Sequence, residues 1–209
     1  ADMHLVYARF GPSSGAKGIG TIVVERDRPG LTVRKLEGKM GVRGAAENEL
    51  FFDNVRVPAS NIVTLGDPGN SRGFVKPLTI YNGTRVGMGV MALGVAEGAF
   101  ELAREYMTVR EQFGQKLSEM QGLRWMMADA LIEIEAARCL CYKALALIDA
   151  GKPDPQLCSI AKVFATEMAQ RVTVQCQQMF GGYGYFGLLP LERMVRDVRM
   201  LTITGGTTQ

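Results

Sequence analysis

The chain has 209 residues, enough for one large domain or two small ones, and its 47% hydrophobic and 22% charged content is that of a soluble globular protein. A net charge of +3, from Lys and Arg scattered among acids, argues against a nucleic-acid binder, which concentrates basic residues on one face. Four cysteines without C-x-x-C spacing and a single histidine, His4, argue against a metal site and point to reduced, buried thiols. That usage fits a reducing compartment, the bacterial cytoplasm ahead of the mitochondrial matrix.

The opening at Ala1, straight into an apolar run without a signal-peptide layout, reads as a cut end. From Met3 to about Val63 the signals are those of strands. "HLVYARF" alternates, "GIGTIVVERDRPGLTV" reads as a strand, an Asp-Arg-Pro-Gly turn and another strand, and "NELFFDNVRVP" is a further strand stopped by Pro58. Three to five strands make a small sheet that needs a partner surface.

From Ser71 onward the apolar period becomes 3.6. A first helix runs from Ser71 or Lys76 to Met107, with Gly87, Gly94 and Gly98 spaced for close helix approach. Its uncharged stretch, Val86 to Ala96, is too short to span a bilayer. The second carries a stripe from Met120 through Leu131, Ile134 and Cys141 to Ile148, and stops at Gly151 before Pro153. A third runs from about Asp154 to Phe180, and a shorter fourth from Pro190 holds Met194, Val198 and Leu201. Short connections make these an antiparallel bundle. The fold class is therefore α+β: a short antiparallel β segment, residues 1–68, then an up-down four-helix bundle, residues 69–209.

Three stretches stand out from this amphipathic background. "VREQFGQKLSEMQ" places Arg110, Gln112 and Lys116 at the corner between two helices, equally readable as a polar-ligand site and as a solvated loop. "QCQQMFGGYGYFG" ends a helix with Gly181 and Gly182, where a flat ligand or a second chain can approach the backbone. "ITGGTTQ" closes the chain with paired glycines and hydroxyls.

With "KMGVRGAAENELFFDNVRVP", "RGF" at Arg72–Phe74, "TRVGMGVMALGVAEGAFELAREYMTVREQFGQKLSEMQ", "QQMFGGYGY" and "ERMVRDVRMLTITGGTTQ" in this order, nearly the whole chain resembles the acyl-CoA dehydrogenase superfamily of flavoenzymes. The resemblance implies the later part of a middle β-domain and most of a C-terminal four-helix bundle, so a fragment. It implies FAD as cofactor, an acyl-CoA substrate, an electron-transfer flavoprotein or similar acceptor, and a homodimer or homotetramer. Carried over residue by residue, Arg110 meets the pyrophosphate or adenosine end, a guanidinium suiting phosphate by charge and fork geometry. Phe113 and Gln121 assist, Gln178, Met179, Phe180, Gly181 and Gly182 line the cofactor across a subunit interface, and Thr207 and Gln209 contact it within the subunit. For substrate, the resemblance points to Asn82, Thr84, Arg85, Gly205 and Gly206. Arg85 would hold the thioester's CoA portion, in a "NGTR" stretch where Asn82 replaces an acid.

Chemistry in that family begins with α-proton removal by a carboxylate. The Glu of "Y-E-G-T" corresponds to Gly205 here, and the alternative Glu on the first bundle helix corresponds to Thr84. The catalytic residue is thus unknown. Glu97 lies three turns beyond Thr84, Glu192, Arg193 and Asp197 read as a charged face, and Tyr183 and Tyr185 as packing residues. Four readings stay open: a base from elsewhere, flavin monooxygenase chemistry, a non-catalytic subunit of a mixed oligomer, and a pure interaction module.

Overall fold

The structure, a computed structural model, describes residues 1–12, 14–67, 69 and 71–209. It separates into two compact units: Ala1–Lys39 with Arg43–Tyr81, and Met40–Val42 with Asn82–Gln209.

The first unit contains β1 (Met3–Arg9), β2 (Ile19–Glu25), β3 (Leu31–Lys35), β4 (Asn48–Phe52) and β5 (Ile62–Thr64). β1 and β5 flank β2 in one antiparallel sheet, and β3 pairs with β4 in a second. The Asp27–Gly30 turn is present, with Gly30 at φ 89°. The strands on either side of it, however, go to different sheets, because β2 already has a partner on each edge. The "NELFFDNVRVP" strand stops at Phe52, not at Pro58, since the chain turns through Asn54 at φ 50°. β5 is too short for its alternation to register in the sequence.

Thr21, fully buried, ties this sheet to the helix that follows. Its hydroxyl lies 2.8 Å from that of Thr64, which donates in turn to the Gly73 carbonyl at 2.8 Å. Pro77, one turn later, has no N–H to offer that carbonyl, so the threonine supplies the missing donor.

The helices are α1 (Arg72–Val109), α2 (Gln121–Asp149), α3 (Pro155–Met179), the single turn α4 (Gly182–Tyr185) and α5 (Leu191–Leu201). α1 begins at Arg72, and its part from Asn82 on belongs to the second unit. Asp154 caps α3, accepting from Gln156 N at 2.9 Å and Leu157 N at 3.2 Å ahead of Pro155. Gly151 at φ 69° lets the chain leave α2. The corner between α1 and α2 is an unanticipated hairpin, β6 (Glu111–Gln112) and β7 (Gln115–Lys116), turning on Phe113 at φ 56° and Gly114 at φ 79°. No Asn-Gly or Asp-Gly pair announces it.

The core of this unit is rich in small residues: Ala96, Ala103, Ala137, Ala161 and Ala165 are fully buried beside Ile134, Met168 and Val172. Close helix approach falls at Gly89, where an added Cβ would meet Cys141 Sγ at 3.2 Å and the Ala161 carbonyl at 3.4 Å. Gly87 and Gly94 have nothing within 4 Å of an added Cβ among the described residues, which corrects the spacing argument. α1 is long and apolar enough to cross a membrane by length and composition; Val86, Leu93, Ala96, Ala99 and Ala103 are buried in this core. Cys141, Cys158 and Cys176 are buried as expected, but Cys139 is exposed on the outer face of α2.

The charged face of α5 does more than meet solvent. Asp197 Oδ1 accepts from Val42 N at 2.6 Å, and Arg196, paired with Glu192 at 2.7 Å, donates to the Met40 carbonyl at 2.6 Å. Glu97 pairs with Arg138 of α2 at 2.6 Å.

Candidate functional site

The closing segment packs where α1, α3 and α5 meet. α5 ends at Leu201, leaving carbonyls that its own helix cannot satisfy. Thr202 O accepts from Thr208 N at 3.1 Å, so the chain curls back on itself. Gly205 and Gly206, at φ 77° and 103°, form the tip of this lip. Arg85 reaches it from α1, donating from Nε to the Gly205 carbonyl at 3.1 Å and from one terminal nitrogen to Asn82 Oδ1 at 3.2 Å. Asn82 is buried and thus orients the guanidinium that an acid would otherwise hold. Of the five residues expected to meet substrate, Asn82, Arg85, Gly205 and Gly206 converge; Thr84 is exposed on α1.

Neither Thr84 nor Gly205 carries a carboxylate. The acid that does reach this segment is Glu167 of α3, and its Oε1 accepts from the Thr208 hydroxyl at 2.9 Å. Lys162, one turn before Glu167, is 3% exposed and donates to Gly206 O at 2.6 Å and Thr202 O at 3.3 Å. Burial pushes its ammonium below the ordinary lysine value; Glu167 opposes that shift and Arg85 adds to it. Neither residue was anticipated. The only sequence signal was a charge inside the apolar face "LCSIAKVFATEM".

A second cluster lies at the hairpin. A cavity of about 360 Å³ brings Arg110 and Phe113 against the Gln178–Gly182 segment. Arg110 stands 5.5 Å above the centre of the Tyr183 ring, and Phe113 is 94% exposed. Tyr106 stacks on Phe180 at 4.1 Å and backs the wall. An added Cβ at Gly181 or Gly182 would meet nothing within 4 Å, so the cavity is open over both. A guanidinium, open backbone and exposed rings suit a phosphate with an attached aromatic base. Gln121 starts α2 outside this cavity, and Thr207 and Gln209 lie on the exposed lip instead.

Residues 71–209 match the acyl-CoA dehydrogenase C-terminal domain, and residues 1–55 match the acyl-CoA dehydrogenase middle domain. The chain belongs to the acyl-CoA dehydrogenase family. Among curated relatives, it is 41% identical over 209 residues to the short-chain specific acyl-CoA dehydrogenase of Clostridium acetobutylicum, covering 100% of this chain and 54% of that protein. It is 45% identical over 213 residues to the 3-sulfinopropanoyl-CoA desulfinase of Paraburkholderia xenovorans, covering 100% of this chain and 53% of that protein. The solved butyryl-CoA dehydrogenase of Megasphaera elsdenii superposes with a TM-score of 0.93 at 40% identity, over 100% of this chain and 53% of its own. The chain thus spans about half the length of the relatives it matches.

Proposed function

We propose that this chain forms part of an FAD-dependent enzyme acting on an acyl-CoA thioester, by α,β-dehydrogenation. The observation that carries the reading is the lip: Arg85, Asn82, Gly205 and Gly206 are drawn together across the bundle in a family whose members use FAD. Arg110 and the Gln178–Gly182 segment would hold the phosphates and adenosine, the latter facing a second copy of the chain. Thr207 and Gln209 would contact the cofactor within the subunit. FAD supplies the hydride acceptor when bound, and an electron-transfer flavoprotein or similar carrier would take the electrons. The α-proton must leave to a base that is neither residue 84 nor residue 205, since Thr and Gly cannot serve.

The missing carboxylate, with the 45% identity to a desulfinase, favours a second reading on the same site. Removal of a sulfinate from 3-sulfinopropanoyl-CoA is a hydrolysis. Water adds its oxygen to sulfur, the C–S bond breaks, a proton goes to the β-carbon, and propanoyl-CoA and sulfite result without net oxidation. That reaction needs no carboxylate to initiate hydride loss, and Arg85 offers a cation for the anionic group.

Anaerobic titration of the flavin-loaded protein with butanoyl-CoA and with 3-sulfinopropanoyl-CoA separates the two. Bleaching of the flavin's visible band by butanoyl-CoA supports dehydrogenation. Sulfite release from the sulfinate, with the band intact, supports the second reading. A protein that purifies without flavin and binds neither thioester sinks both.

A further inference from the structure

Paired glycines at positive φ are the least self-ordering backbone a chain can offer, yet this lip has a defined shape, imposed by two cations from behind. Lys162 Nζ sits inside the loop, bonded to Gly206 O and Thr202 O, while Arg85 Nε holds Gly205 O. Consecutive carbonyls, those of Gly205 and Gly206, are therefore turned toward cations carried by different helices. In a planar trans peptide the N–H points opposite to the C=O. The amides of Gly206 and Thr207 must then face away from the bundle interior, and both residues are exposed there. A buried ammonium needs compensation, and here it receives it from the Thr202 carbonyl at the negative end of α5 and from the Gly206 carbonyl of the lip.

We propose that Lys162 is a positioning residue of the site: by holding the carbonyls of Thr202 and Gly206 inward, it presents the N–H of Thr207, beside the Gly206 N–H that Arg85 sets through the Gly205 carbonyl, as a fixed donor to an acceptor oxygen of the bound thioester or cofactor. This rests on the functional reading above only for the identity of the acceptor. The positioning itself is a property of the chain. Thr173 provides the comparison that a merely structural role requires. It is equally buried on the same helix, and its hydroxyl donates to α3's own carbonyls, Ala169 at 2.7 Å and Gln170 at 3.3 Å.

The test uses the flavin-loaded full protein carrying Lys162→Met or Thr173→Val. Amide hydrogen exchange over residues 202–209 is followed without any thioester, and acyl-CoA binding is read from the flavin's visible band. Loss of bonds to a charged donor predicts about 10- to 100-fold faster exchange of the lip and a matching rise in thioester Kd for Lys162→Met. Thr173→Val should lower Tm and leave both readouts unchanged. If Lys162→Met fails to fold, Lys162→Gln, which keeps a donor, should fold with intermediate exchange. Lip exchange at the wild-type rate in the Lys162 variant, or equal effects from Thr173→Val, overturns the proposal. A wild-type protein that binds no thioester counts against the functional reading, and the exchange result still decides the role of Lys162.

Discussion

Arg85 and Gly205 are separated by 119 intervening positions and joined by one hydrogen bond, from Nε to the carbonyl oxygen at 3.1 Å. The side chain lies half-buried between α1 and the lip, with its other end on the buried Asn82. One guanidinium thus shapes both the wall and the tip of the site. Arg85→Ala should weaken acyl-CoA binding by about 10- to 100-fold, the value of a charge-assisted bond. Arg85→Lys should recover only part of this, because a single ammonium cannot span both acceptors as the fork does. Titration of the flavin band checks both, and unchanged affinity in Arg85→Ala would remove Arg85 from the site.

Gly205 stands at φ 77°, and an added Cβ would lie 3.4 Å from Met88 Cγ. Gly205→Ala should cost about 1–2 kcal/mol for the left-handed backbone, roughly 2–4 °C of Tm per kcal/mol at this size. Thermal unfolding measures it, and an unchanged Tm would mean that the lip does not hold this conformation.

Gly41 is held against α5 so closely that a Cβ would come 2.5 Å from the Arg196 carbonyl oxygen and 2.7 Å from Asp197 Oδ1. The first contact is with the backbone of α5, and the second is with a carboxylate held by the Val42–Asp197 bond. Gly41→Ala is expected to destabilise by about 1–3 kcal/mol through overpacking, seen as a lower urea midpoint. Restoring the midpoint by truncating Asp197 alone would show that the side chain, not the backbone, sets the limit.

Burial pushes the Cys141 thiol up to about 11 and the Cys176 thiol up to about 12, and raises Cys158 as well. A thiol reacts as thiolate, so these three should be inert in the native state. Exposed Cys139 should be the one that labels quickly with a disulfide reagent, and all four should label in denaturant. Fast native labelling of Cys176 would contradict the packing of α3.

Glu25 accepts from Arg28 at 2.8 Å and from Asn61 at 3.0 Å, and these bonds hold its carboxyl well down, at about 2. Because the folded value lies below the unfolded one, the pair stabilises the fold above the ordinary carboxylate range. That contribution fades as the pH falls toward about 2. Glu25→Gln should therefore lower Tm near neutral pH and make no difference at the acid end. A gap that persists at pH 2 would assign the effect to shape, not charge.

The sequence by itself determined what is local or periodic. The 3.6-residue stripes fixed α1, α2, α3 and α5, Asp154-Pro155 started α3, and Gly151 ended α2, because caps and stripes act within a few residues. It also showed that neither residue 84 nor residue 205 is an acid. The tertiary structure decided whatever depends on distant partners. It sent β2 and β3 to separate sheets, moved the close approach to Gly89, and folded the "EQFGQK" corner into a hairpin on a Phe at positive φ. Lys162 illustrates the divide. In sequence it is a charge out of place on an apolar face. Only the curl of residues 202–208 brings carbonyls 40 and 44 positions away onto its ammonium, and a buried charge is tolerated only where such partners arrive.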